Sequence, residues 1–126
     1  MKTAAIIIFA LELALLFVHE MDAIRREEWK MFIVLKNMAD EKAYHIFMLL
    51  HVPLYMALLL LLFSPFFAMG YYVVDVFLAA HMLVHLGFSK HHANKLNSTI
   101  SKAIINLSGL LALIHLFIIS ELLFKL

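Results

Sequence analysis

Four apolar stretches set the folding problem for this chain: Thr3 to Met21, Tyr44 to Phe63, Tyr71 to Phe88 and Ser101 to Phe124. At about 1.5 Å of rise per residue, each is long enough to cross a hydrocarbon core of roughly 30 Å as one helix. The absence of period-two alternation argues against a transmembrane barrel. The chain has 126 residues, of which 65% are hydrophobic, and a soluble domain so composed would expose large apolar surface. The predicted fold is all-α: an integral membrane four-helix bundle forming a single transmembrane domain over residues 1–126.

The connections carry the remaining structural signals. The first stretch ends in Phe17-Val-His-Glu-Met-Asp22, without the Ala-x-Ala that would mark a signal peptide. Between the first two spans, Met31, Val34, Leu35 and Met38 make an i, i+3, i+4, i+7 stripe among basic residues. That pattern predicts a short amphipathic helix at the membrane interface, with Trp29 at headgroup level. A continuous extension of the first span is the competing reading. Asp40 suits the N-cap of the second span, Ser64 to Gly70 a tight antiparallel turn, and Asn97 or Ser98 the cap of the fourth span. Gly87 loosens the end of the third.

Lysine and arginine fix the expected orientation. Arg25, Arg26, Lys30, Lys36, Lys42, Lys90, Lys95 and Lys102 belong to the first and third connections and their flanks, whereas Lys2 and Lys125 stand at the termini. This imbalance predicts cytoplasmic basic loops and outside termini, in a bacterial inner membrane. The formal net charge of +1 gives no sign of a nucleic-acid partner. With no cysteine present, disulfides, thiolate metal sites and a cysteine nucleophile are excluded.

The histidines follow the same asymmetry. His19, His45, His51, His81 and His85 fall near the cytoplasmic ends of their spans, His91 and His92 in the loop, and His115 elsewhere. His81 and His85, four residues apart, share a helix face where both rings can reach one ion. Two imidazoles in an apolar span are costly without a shared purpose. His51 shares a face with Tyr44 and Tyr55, and Pro53 frees the Leu49 carbonyl, which opens a polar pocket. On the first span, Glu12, His19 and Asp22 lie within roughly 80° of arc and Glu20 on the other flank. Carboxylates so placed can ligate, orient an imidazole or act as general base, although pairing of Glu20 and Asp22 with Arg25 or Arg26 is an even competitor. Glu12, deep in its span, is expected inward, protonated or paired with a histidine. Asp75 is expected to support the histidines or relay protons. His45 reads as a satisfied core histidine, His91 and His92 as an exposed rim, and His115 as structural, within bonding reach of Ser108.

The combination of His19-Glu20-Met-Asp22-Ala23, Glu28-Trp29-Lys-Met-Phe32, His51 with Pro53, and His81-x-x-x-His85 resembles small bacterial four-helix integral membrane families of unknown function. One of these is named for a His-x-x-Glu-Glu motif; here Glu27-Glu28 follow His19 by eight residues. The site logic is also similar to that of the alkaline ceramidase and progestin-receptor-like membrane hydrolases, in which a His-x-x-x-His helix and a third histidine hold zinc. The likeness implies ligand roles for His81, His85 and His51. Membrane fatty-acid desaturases are similar in histidine count and side, although their His-x-x-His-His boxes have no counterpart here.

The residues together predict a metal site in the cytoplasmic half, with His19, His51, His81 and His85 as ligands and Glu20 and Asp22 as catalytic carboxylates. Neutral imidazoles with carboxylates suit zinc or non-haem iron. Zinc implies hydrolysis of a lipid-like ester or amide, which the absence of an electron-transfer module favours over oxidation with iron. Haem b or metal transport is the alternative, followed by a non-catalytic subunit. Membrane lipid and a homo-oligomeric or larger membrane assembly are the expected partners.

Overall fold

The computed structural model describes residues 2–63, 67–92 and 94–123. Four α-helices follow one another: α1 (Lys2–Arg25), α2 (Asp40–Leu62), α3 (Phe67–Gly87) and α4 (Thr99–Leu123). All four are long and apolar enough to cross a membrane. Among the described residues there is no strand. The tip of the turn expected between α2 and α3, residues 64–66, lies outside the described residues.

Two helices carry the same buried periodicity. On α1 the buried positions are Ala5, Phe9, Glu12, Leu16, His19 and Ala23; on α4 they are Ser101, Ile105, Ser108, Ala112, His115 and Ile119. Steps of alternating four and three residues keep each set on one face. The opposite faces expose large apolar side chains such as Ile6, Ile7, Leu110 and Phe117, as suits lipid contact. Polar residues on the inner stripe therefore escape hydrocarbon and meet each other.

Helices α1 and α3 both pack along α4, while α2 leans on α3 and on the link that precedes it. Close approach of α3 to α4 depends on Gly109, where an added Cβ would stand 2.5 Å from the Met82 Cβ. A small residue at a helix contact admits such proximity. Phe9, Leu16, Val74, Leu78 and Ala112 form the central apolar cluster.

The link between α1 and α2 is more irregular than its apolar stripe implies. It holds one 3-10 turn, Glu28–Met31, followed by further turns through Met38. Of the stripe, Leu35 is buried, and it joins Ala23, Ala43 and Phe47 around Trp29; Val34 is largely exposed. Trp29 thus lies inside a satellite core rather than at a lipid-facing surface. Glu27 initiates the turn in the left-handed region, φ 56° and ψ 46°, a conformation that strains a residue with a Cβ. Its carboxylate is held by Lys30 at 3.2 Å and by Lys95 from the α3–α4 link. The first and third connections therefore meet at one end of the bundle.

The caps differ in part from expectation. Ala39 occupies the N-cap of α2, and the Asp40 carboxylate accepts from Lys30 Nζ at 3.1 Å instead. Ser98 does cap α4, its hydroxyl accepting the Ser101 amide at 3.0 Å. The α3–α4 link is ordered by Asn94, which donates to the Phe88 carbonyl and accepts from the Leu96 amide.

Candidate metal centre

Three imidazoles converge near the end of the bundle where the first and third connections meet. His19 comes from the inner stripe of α1, and His81 and His85 from successive turns of α3. His81 Nε2 stands 2.8 Å from His19 Nε2 and 3.1 Å from His85 Nε2. The rings sit steeply inclined to one another, with centroids 4.5 to 5.0 Å apart. An imidazole nitrogen carries either one hydrogen or one lone pair, so His81 Nε2 cannot satisfy both neighbours by ordinary hydrogen bonds. Three Nε2 atoms facing a common point form instead a set that can hold a metal ion.

Glu28 closes this set. Its Oε1 lies 3.3 Å from His85 Nε2 and its Oε2 3.7 Å from His19 Nε2. Bonds of about 2.0–2.1 Å to a tetrahedral ion separate its ligands by about 3.4 Å, a few tenths of an ångström beyond the 2.8 and 3.1 Å between His81 Nε2 and the other two imidazoles. Glu28 reaches two of the rings, each through a different oxygen. Burial pushes the Glu28 carboxyl up, but the hydrogen bond with His85 and the charges of His19, His85 and His81 outweigh it and hold the group below its ordinary value. The left-handed turn at Glu27 is what directs Glu28 back over the end of α1.

His51 and Glu20, both expected at the histidine pair, meet each other across α1 and α2: His51 Nε2 is 2.8 Å from Glu20 Oε2. His51 Nδ1 lies 2.7 Å from the Phe47 carbonyl oxygen, which can only accept, so Nδ1 donates. A proton beyond that of the neutral ring must then lie between Nε2 and Oε2, as imidazolium with carboxylate or imidazole with carboxylic acid. Because α2 leans away from α1, His51 stands apart from the three converging imidazoles. A cavity of about 290 Å³ is lined by Glu28 and His81 together with Glu20, His51, Phe32 and Phe77. Below it, a cavity of about 140 Å³ lined by Leu16, Leu54, Tyr55, Leu58 and Val74 also reaches Glu20.

Other expectations resolve differently. Asp22 lies beside Arg26 at 3.3 Å and accepts from the Ser101 hydroxyl of α4, so it braces α1 against α4. Asp75 serves His115 instead of the α3 histidines, and Ser108, expected to bond His115, donates to the Ile105 carbonyl. His45 is half-exposed beside Glu41 at 3.3 Å rather than in the core. His91 and His92 lie beyond the end of α3, their rings 4.4 Å apart. Glu28 had no assigned role from spacing; the Glu27-Glu28 doublet was its one signal.

Residues 5–122 match DUF6713, a family of unknown function. The chain belongs to the DUF6713 family. Neither a curated protein nor a solved structure matches it. For this DUF6713 chain the side chains themselves supply the functional information: a membrane-type helical bundle with buried histidine and carboxylate groups able to hold a metal ion.

Proposed function

We propose that this protein is an integral membrane metal-dependent hydrolase acting on an ester or amide bond of a lipid-like substrate. The observation that carries this reading is the convergence of His19, His81 and His85 beside Glu28, with His81 and Glu28 lining the same cavity as Glu20 and His51. His19, His81 and His85 hold the ion, and Glu28 is its fourth ligand or a base beside it. A divalent ion held there supplies Lewis-acid polarisation of a carbonyl and activation of water near neutral pH. Glu20 and His51 hold a proton between Oε2 and Nε2 and deliver it to the leaving group. The lower apolar cavity supports an acyl chain as the substrate's anchor, since its lining residues Leu54, Val73 and Phe77 are also exposed toward the lipid.

Lysine and arginine asymmetry supports a bacterial inner-membrane setting with the site toward the cytoplasm. Convergent nitrogens on one point support a single ion over haem b, whose two axial ligands oppose each other across a flat ring. A homo-oligomer or larger membrane assembly is consistent with so thin a bundle.

The test is elemental analysis of purified protein together with hydrolysis of a panel of lipid esters and amides in vesicles. Zinc or iron bound near one equivalent by the His19 group, lost in His81→Ala and His85→Ala along with hydrolysis, is the expected result. Absence of any transition metal at this group, as purified and after rebinding, rejects the enzyme reading.

A further inference from the structure

A second group of ionisable side chains lies deeper in the bundle, outside the site above. Glu12 of α1, Asp75 of α3 and His115 of α4 are fully buried, and one donor atom from each falls within 4.8 Å of the others. His115 Nδ1 is 3.1 and 2.9 Å from the two Asp75 oxygens and 3.9 Å from Glu12 Oε2. The Glu12 carboxyl meets that of Asp75, where a hydrogen bond requires a proton between them; no other donor reaches a Glu12 oxygen, and His115 Nε2 is unpartnered. Phe9 and Tyr71 pack their rings against His115. Seven residues of α1 separate Glu12 from His19, about 10 Å along the axis, and Leu16, Leu78 and Ala112 belong to the apolar cluster between the two levels.

Two carboxylates facing one another in an apolar core cannot both stay ionised without a cation. We propose that Glu12, Asp75 and His115 form a second, separate binding site for one divalent transition-metal ion, tying α1, α3 and α4 together. Each helix contributes one donor. The Asp75–His115 separations of 2.9 and 3.1 Å are hydrogen-bond distances that lie within about 0.5 Å of the spacing of ligands on a common ion, and a similar side-chain adjustment brings Glu12 into the same range. One imidazole with two carboxylates suits zinc, iron or manganese in the divalent state. Such an ion cancels both carboxylate charges while His115 remains a neutral ligand; without it the same neutrality takes two protons, one between the carboxyls and one on His115. The distance from His19 makes the two sites mononuclear and independent, since the ions of a two-metal site stand about 3.5–4 Å apart.

The test titrates chelator-stripped, full-length protein in detergent with zinc(II). A His81→Ala/His85→Ala double variant lacks the upper site, and it is expected to retain one equivalent, which disappears when Glu12→Gln or Asp75→Asn is added. The single isosteric change Glu12→Gln in the otherwise wild-type chain is expected to cost one equivalent as well, which covers a double variant that fails to fold. A helical double variant that binds no zinc overturns the proposal. So does a variant carrying Glu12→Gln and Asp75→Asn that keeps the equivalent, or a protonated-carboxyl infrared band in zinc-loaded protein that vanishes in Glu12→Gln. Failure of the upper site leaves this outcome readable, because the double variant does not contain it.

Discussion

His81 Nε2 lies 2.8 Å from His19 Nε2, although 62 positions separate the two residues in the chain. The contact joins α1 to α3 near the end of the bundle where the first and third connections meet. Two bare imidazoles so close repel unless a hydrogen or a cation lies between them. Zinc(II) at one hundred times its dissociation constant should therefore stabilise the wild-type fold by about 2.7 kcal/mol. Thermal melts in detergent should show a larger zinc-induced shift in wild-type protein than in His81→Ala, where the Glu12, Asp75 and His115 group alone remains to bind the ion.

Glu28 and Glu27 are neighbours with opposite environments, and their substitutions should separate. Glu28→Gln removes the carboxylate facing His19 and His85 and is expected to weaken zinc affinity by roughly 10- to 100-fold, on the scale of lost ligand-supporting groups. Glu27→Gln should leave affinity unchanged. Isothermal titration of the two variants decides the contrast.

The Glu20–His51 pair predicts a different phenotype. Glu20→Gln and His51→Asn should lower turnover by about 10²- to 10⁴-fold, the range of general acid–base groups, while zinc stoichiometry stays at the wild-type value. Loss of metal in either variant would move the pair from proton transfer to ligation.

Gly109→Leu should destabilise the bundle by about 1–3 kcal/mol, the cost of overpacking, because its new Cβ meets the backbone-proximal Cβ of Met82. Adding Met82→Ala leaves that Cβ in place and should restore little, whereas Met82→Gly should relieve much of the strain despite its own helix penalty. Melting temperatures of the four proteins test the order.

The link ion pairs carry a pH signature. Hydrogen bonds from Lys95 and Lys30 hold the Glu27 carboxyl below its ordinary value of 4.5. Its folded value is thus the lower one, so the contribution is complete above about pH 4.5 and is lost as pH falls through the folded value. The stability difference between wild type and Glu27→Gln should shrink across that acidic window, and added salt should reduce it at neutral pH.

Much of the architecture was legible in the chain because a bilayer imposes a length and a polarity on every span. Apolar runs marked the four helices, and the three-then-four spacing of Phe9, Glu12, Leu16, His19 and Ala23 marks an inner stripe once a helix is assumed. His81 and His85 were legible as a pair because four residues make one helical turn. Capping was less so: Asp40 had the chemistry of an N-cap, but Lys30 of the preceding link took its carboxylate.

Sequence by itself determined that polar side chains in these spans must face inward and find one another, since hydrocarbon offers them no partner. Which partners they found was a tertiary decision. Helix α2 leans away from α1, so His51 joins Glu20 while His19 joins the α3 histidines. Asp75 lies 40 residues from His115, and the packing of α3 on α4 brings them together. Glu27 and Glu28 are chemically the same residue twice over; one left-handed backbone conformation turns the first toward Lys30 and Lys95 and the second into the converging imidazoles. Spacing along a helix is local and readable, whereas the angle between helices and the reversal of a link are set by side-chain packing over the whole bundle.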